Sequence, residues 1–232
     1  MHSEKLAATG KLSASIAHEF NNPLYGIKNV LEEVYEGVDM DSAYKGLVEI
    51  GIKECKRIAG LIRKLQDFHS PSSGIIQPMD VNEAIDDVIL LIKKNLKAGG
   101  IELKLNYGDS LPRVETVADQ IKQVVLNIIQ NAEQALQEGG RLIVVTTEQV
   151  NASVKIHISD TGSGISPENL KHIFDPFYTT KSAVKGTGLG LSISHGIIKA
   201  HGGEIEVESE PGKGTTMTIT LPVMKKGIEN ER

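Results

Sequence analysis

The sequence contains little cysteine, few aromatic residues and no long apolar run. The first and third shortages exclude classes of protein, and the second predicts the composition of the core. Cys55 is the only cysteine among 232 residues, so an internal disulfide and a zinc site made of cysteines are excluded. No apolar stretch approaches the ~18 residues that span a bilayer, and the N-terminus lacks the apolar segment of a signal peptide. We therefore expect a cytoplasmic chain that makes no membrane contact itself, and a core of aliphatic side chains.

The sequence also lacks a large excess of charge of either sign. The formal net charge is -5, and no basic run interrupts the sequence, which argues against a nucleic-acid binder that relies on phosphate neutralisation. The length predicts one large domain or two modest ones.

Two long amphipathic patterns open the chain. Residues 3–36 predict one helix, because apolar residues recur three or four positions apart. Gly37–Asp41 predicts a turn, and Ser42 is the candidate N-cap of a second helix that runs through Phe68. A helical hairpin cannot bury both faces alone, so we predict a homodimer that forms a four-helix bundle.

The segment from His69 to Asp80 is rich in Pro, Ser and Gly and predicts a linker. Beyond it the pattern becomes mixed α/β. We therefore predict a helical dimerisation domain over residues 1–70, a linker over 71–79, a mixed α/β domain over 80–224 and a frayed tail over 225–232.

Capping residues and alternation define the elements of the second domain. Asp80 or Asn82 is expected to cap a helix through Leu96, and Asp119 to cap another through Leu136. Four strands are predicted, with Pro222 ending the last of them: Leu142–Thr147, Val154–Ser159, Ile205–Glu208 and Met217–Leu221.

His18 falls nearly opposite the apolar stripe of the first helix, so we expect it to face solvent or a partner. Asn22 lies on the same helix face as His18. Pro23 predicts a kink in the helix one turn beyond His18. An exposed imidazole is a competent nucleophile, and Glu19 beside it can accept its proton or orient it. The same residues also describe a surface histidine next to a surface glutamate.

Two asparagines lie one turn apart in the segment NIIQNAEQAL. The amide oxygens of Asn127 and Asn131 sit at the margin of an apolar stripe, where they can reach a hard cation such as Mg²⁺. Two ordinary amides on a helix surface would give the same pattern.

The segment ISDTGSGI ends an alternating strand at Asp160. Gly162 and Gly164 allow close approach of the backbone to a flat ligand, and a buried carboxylate there can accept from an amino group such as that of adenine. A simple strand–turn loop also favours Asp and Gly.

A glycine-rich stretch precedes the last helical pattern, and its bare N–H groups suit a polyphosphate. Lys181 and Lys185 add positive charge, and Thr179–Lys185 is a candidate mobile lid. Taken alone, a GxGxG pattern is weak, and this one lacks the context of a P-loop. The glycines are Gly186, Gly188 and Gly190.

Together these segments resemble the sensor histidine kinases. HEFNNPL resembles the phosphoacceptor motif, and NIIQNAEQAL, DTGSGI, IFDPFYTTK and GTGLGL resemble the N, G1, F and G2 boxes, in the family's order. HEFNNPL, the NAEQAL ending and TTK resemble the nitrogen-regulation-like branch. The resemblance implies an all-α helical hairpin (a dimeric four-helix bundle) followed by an α/β sandwich with a mixed sheet (Bergerat-type).

The resemblance also implies roles for individual residues. His18 would be phosphorylated by ATP, with Glu19 as base or orienter, and Asn22 would position water for dephosphorylation of the partner. Asn131 would bind Mg²⁺, supported by Asn127. The remaining nucleotide-binding set comprises Asp160 for adenine, Gly162 and Gly164 for its pocket, Phe174 and Phe177 as lid anchors, Thr180, Lys181 near the terminal phosphates, and Gly186, Thr187, Gly188, Leu189 and Gly190 in the phosphate loop.

The implied partner is a response regulator that docks near Tyr25 and receives the phosphoryl group on an aspartate. We also expect a longer parent kinase, which can be membrane-anchored. Many relatives carry a basic and an aromatic residue at Gln134 and Ala135, so phosphate contacts do not transfer there. Two rival functions stay open: an ATP-hydrolysing machine of the same superfamily, which typically has Glu at Asn127, and a degenerate dimeric scaffold.

Overall fold

The computed structural model describes residues 23–69, 74–136, 140–180 and 188–223. The chain divides into two compact units, Met1–Ser72 and Ser73–Arg232, and each is described by itself.

The first unit is a pair of helices. Helix α1 occupies residues 23–37, and α2 spans Ser42–His69. The prediction that Ser42 caps α2 is wrong, because Ser42 is already helical and the Ala43 N–H donates to Asp41 Oδ1 at 2.7 Å. The preceding carboxylate is as good an N-cap acceptor as the hydroxyl. The predicted helix before residue 23 and its kink lie outside the described residues.

These helices bury few side chains in the described part of the unit, chiefly Leu24, Ile52 and Cys55. Apolar residues stay exposed along both helices, as predicted for a hairpin that needs a partner. They include Tyr25, Ile27, Val30, Leu47, Ile50 and Ile58.

The second unit contains a five-stranded mixed sheet and a separate two-stranded sheet. Its helices are α3 (Val81–Ala98), α4 (Ala118–Leu136), α5 (Pro167–Leu170) and α6 (Gly190–Ala200). Its strands are β1 (Gln77–Met79), β2 (Glu102–Asn106), β3 (Val114–Thr116), β4 (Leu142–Val150), β5 (Ser153–Asp160), β6 (Glu204–Glu210) and β7 (Gly214–Pro222).

The sheet order is β2-β4-β5-β7-β6, in which β2 runs parallel to β4 and the other neighbours are antiparallel. Alternate residues of the central strands are buried against α3, α4 and α6. The core is aliphatic, as predicted. Side chains with almost no exposure include Ile121, Ile129, Ile143, Ile156 and Ile219.

The helix starts confirm one predicted cap and correct another. Asp80 caps α3, since its Oδ1 accepts from the N–H groups of Asn82 and Glu83. Asp119 does not cap α4, which begins one residue earlier, at Ala118. The Val117 N–H instead donates to His201 Nε2 at 3.1 Å, and Asp119 lies in the first turn, where its charge favours the helix dipole.

The four predicted strands are confirmed as β4, β5, β6 and β7, with Pro222 ending the last. The short strands β1, β2 and β3 were not predicted, and β1 lies in the segment that we predicted as linker; it pairs with β3. None of the described helices is long and apolar enough to cross a membrane.

Candidate functional site

Most of the predicted nucleotide-binding residues fall in the described part of the second unit. The predicted residues outside the described part are His18, Glu19, Asn22, Lys181, Gly186 and Thr187. The structure therefore bears on the nucleotide side of the site only.

Asp160 ends the central strand β5, between β4 and β7. Its Oδ1 accepts from the Gly162 N–H at 2.8 Å, and the backbone N–H of Thr215 also donates to the carboxylate. Burial raises the pKa of Asp160, and the two backbone hydrogen bonds oppose that shift. The predicted acceptor is thus a half-buried carboxylate held by the backbone.

The turn over residues 161–165, here called the G1 turn, fits tightly between α4 and the β6–β7 hairpin. A Cβ on Gly162 would lie 2.8 Å from both Ala135 and Asp160 Oδ1. Gly164 has φ +69°, and a Cβ there would overlap the Glu210 carbonyl. Both glycines are therefore required by close packing, as well as by backbone conformation at Gly164.

Backbone hydrogen bonds hold the G1 turn on both sides. The Ser163 N–H donates to the Ala135 carbonyl at 3.3 Å, and the Gly212 N–H donates to the Ser163 carbonyl at 2.8 Å. The hairpin residues Ser209 and Thr215 were missed by the sequence analysis. The glycines of PGKGT before the last strand were the available signal.

The two asparagines of α4 differ in their surroundings. Asn127 Nδ2 lies 3.4 Å from the Gly190 carbonyl and 3.4 Å from Ser194 Oγ, so α4 contacts the start of α6. Asn131 is partly exposed and has no side-chain hydrogen bond to any described residue. Its amide oxygen is the ligand type that Mg²⁺ prefers.

The segment IFDPFYTT combines one packed ring and one exposed ring. Phe174 packs against the core, 5.1 Å from the His195 ring on α6. Burial, together with nearby Lys199, lowers the pKa of His195. Phe177 is 66% exposed, and its role as a lid anchor stays a prediction, because most of the predicted lid lies outside the described residues.

The backbone of Phe177 contacts the glycine-rich stretch before α6. Its N–H donates to the Gly188 carbonyl at 2.9 Å, and both residues have positive φ. A Cβ on Gly188 would overlap the Phe177 backbone. Leu189 is buried just before α6, whereas Thr180 is exposed.

An open cavity of about 340 Å³ lies between the end of β5 and the β6–β7 hairpin, and its lining includes Asp160 and Thr215. Asn127 and Asn131 do not line it. No group of three or more metal-ligating His, Cys, Asp or Glu residues occurs among the residues described.

Two family models match the chain. The His Kinase A (phospho-acceptor) domain matches residues 8–74, and the Histidine kinase-, DNA gyrase B-, and HSP90-like ATPase matches residues 116–225. The first range contains His18, Glu19 and Asn22, and the second contains the described nucleotide-site residues.

The sensor histidine kinase ZraS of Escherichia coli (strain K12) is 37% identical over 220 residues, which are 95% of this chain and 47% of ZraS. The chain thus spans about half the length of the curated relatives that it matches.

Two solved structures are similar as well. The nucleotide-free catalytic domain of histidine kinase ThkA is 34% identical with a TM-score of 0.58, over 64% of this chain and 95% of that domain. ThkA in complex with the response regulator protein TrrA is 27% identical with a TM-score of 0.69, over 97% of this chain and 65% of that chain. The chain belongs to the sensor histidine kinase family.

Proposed function

We propose that this chain is the catalytic core of a sensor histidine kinase. It transfers the γ-phosphoryl group of ATP to His18 and then to an aspartate of a response regulator. One observation carries this proposal: a phospho-acceptor domain with HEFNNPL precedes a histidine kinase-type ATPase domain in the same chain. The complex of the similar kinase ThkA with a response regulator supports the partner class.

The described residues fit the nucleotide. Asp160 accepts from the adenine amino group, and the G1 turn brings backbone close to the base. Asn127 fixes the start of α6 next to α4, and Asn131 offers its amide oxygen to Mg²⁺. When bound, Mg²⁺ supplies charge neutralisation at the phosphates. The N–H groups at the start of α6 favour phosphate by the same electrostatic argument.

The transfer needs positioning more than covalent help. A ring nitrogen of His18 forms the new N–P bond while the bond from the γ-phosphorus to the bridging oxygen breaks, and ADP leaves with that electron pair. Glu19 accepts the proton from the imidazole or holds the ring in the reactive orientation.

Asn127 argues against hydrolysis as the main activity. A hydrolase needs a base for the attacking water, and an amide cannot act as one. The Asn127 amide group also donates towards Gly190 and Ser194, which is a positioning role.

Incubation of the full chain with γ-labelled ATP and Mg²⁺ tests the proposal. We expect acid-labile, base-stable label on the parent and none on His18→Gln or Asn131→Ala. Phosphate release that survives His18→Gln would instead establish the hydrolase. Nucleotide binding without any label would establish the scaffold.

We also propose that Asn22 supports dephosphorylation of the partner. The test compares the parent with Asn22→Ala on a phosphorylated receiver domain, and an unchanged dephosphorylation rate contradicts this part of the proposal.

The chain further acts as a homodimer through its helical hairpin. The apolar side chains that α1 and α2 leave exposed support this assembly.

A further inference from the structure

Ser209 connects three parts of the nucleotide site through one hydroxyl group. It lies on β6 opposite Thr215 of β7. Its Oγ is 2.8 Å from the Ile165 nitrogen, 2.9 Å from the Gly214 carbonyl oxygen and 2.9 Å from Thr215 Oγ1. Ser209 is not among the predicted site residues.

The chemistry of these partners fixes the direction of every bond. A hydroxyl has one proton and two acceptor positions. The Ile165 N–H can only donate and the Gly214 carbonyl can only accept, so the Ser209 proton points to Gly214. The Thr215 hydroxyl therefore donates to Ser209, and Ser209 is saturated.

This arrangement keeps the Thr215 proton away from Asp160. Thr215 and Asp160 line the same cavity, and the Thr215 backbone N–H already donates to the Asp160 carboxylate. Without Ser209, the Thr215 hydroxyl loses its acceptor, and the nearby carboxylate is an alternative one. The adenine amino group would then compete for that acceptor.

Ser209 also fixes the far end of the G1 turn. The Gly162 N–H is bound to Asp160 at the start of the turn, and the Ile165 N–H is bound to Ser209 at its end. We propose that Ser209 is a positioning residue for base recognition, which keeps Asp160 free to accept from the adenine amino group. This inference rests on the nucleotide site proposed above.

The test measures the dissociation constants of ATP and inosine triphosphate, in which a carbonyl replaces the amino group, on the full chain. We expect Ser209→Ala to reduce the preference for ATP by about tenfold, the scale of one hydrogen bond. Ser209→Thr keeps the hydroxyl and should retain the preference within about twofold.

Ser159→Ala is the matched control. Ser159 Oγ lies 2.9 Å from Thr216 Oγ1, an equivalent cross-strand hydroxyl pair on the opposite face of the sheet. Ser159→Ala should leave the preference for ATP over inosine triphosphate unchanged. If Ser209→Ala does not fold, the nearly isosteric Ser209→Cys, with its weaker hydrogen bonds, should show the same loss.

Equal weakening of both nucleotides, or an unchanged preference in both the Ala and Cys variants, overturns the role of Ser209 while the proposed function stands. A parent chain that binds nucleotide with no preference for ATP overturns recognition of the amino group by Asp160, and this inference with it.

Discussion

The half-buried carboxylate of Asp160 is proposed to bind the nucleotide, but its burial lowers the stability of the folded chain. Burial raises its pKa more than its two backbone hydrogen bonds lower it. Between the ordinary value of 3.8 and the raised value, the folded chain binds more protons than the unfolded chain. Stability is therefore lost as the pH rises through this window, and the loss is complete at neutral pH.

Asp160→Asn should remove this penalty. We expect a higher thermal midpoint than the parent at pH 7, no difference below about pH 4, and ATP binding weakened by about tenfold or more. Thermal scans against pH and nucleotide titration measure both effects. Asp109→Asn, at an exposed carboxylate, is the control. Parallel pH profiles for parent and Asp160→Asn would contradict the burial argument.

Alanine substitutions of the two asparagines of α4 should also have different effects on stability. Both Ala variants should lose phosphorylation and gain helix propensity equally. Within the described part of the chain, Asn127 has side-chain hydrogen bonds, to Gly190 and Ser194, and Asn131 has none, so Asn127→Ala should be about 0.5–1 kcal/mol less stable than Asn131→Ala. Unfolding of both variants without nucleotide measures the difference. Equal stabilities would show that the bonds from Asn127 contribute nothing.

At the scale of elements, the G1 turn and the β6–β7 hairpin provide a matched pair of glycines. Gly164 and Gly212 both have positive φ, but only a Cβ on Gly164 would meet another group, the Glu210 carbonyl. Gly212→Ala should cost about 1 kcal/mol for its left-handed backbone. Gly164→Ala should cost roughly 1–3 kcal/mol more. Denaturant unfolding measures both, and equal costs would contradict the close packing of the turn.

Elements with a local signal could be predicted from the sequence. Alternation along β5 and its end at Asp160 located the acceptor carboxylate, and Asp80 located the start of α3. Strand β2 was not predicted because it is an edge strand with mostly exposed side chains, which give no clear alternation. Strand β1 has only three residues and includes a proline.

The parts of the site that depend on pairing between distant segments could not be predicted. Ser209 and Thr215 reach Asp160 only through the registers of β6, β7 and β5. The backbone contact of Phe177 with Gly188 likewise joins two separate segments of the chain. The roles given to His18, Glu19 and Asn22, like those of the nucleotide-site residues, stay predictions.

At the scale of the whole molecule, the exposed apolar residues of α1 and α2 should set the oligomeric state. The double variant Leu47→Glu and Ile50→Glu, at two positions mostly exposed in one chain, should convert the dimer to a monomer, because charges would be buried without partners. Light scattering after size exclusion measures the mass. Leu90→Glu, at a still more exposed position on α3, should leave the dimer intact. A parent chain that is monomeric at all concentrations would contradict the assembly.

The central claim is that one chain carries both the nucleotide site and the group that it phosphorylates. The most direct measurement is mapping of the modified peptide after incubation with ATP and Mg²⁺, with all steps kept at alkaline pH. We expect a phosphoryl group on the imidazole of His18 and an unmodified chain for Asn131→Ala. Phosphate on another residue, or ATP turnover with His18 unmodified, would contradict it.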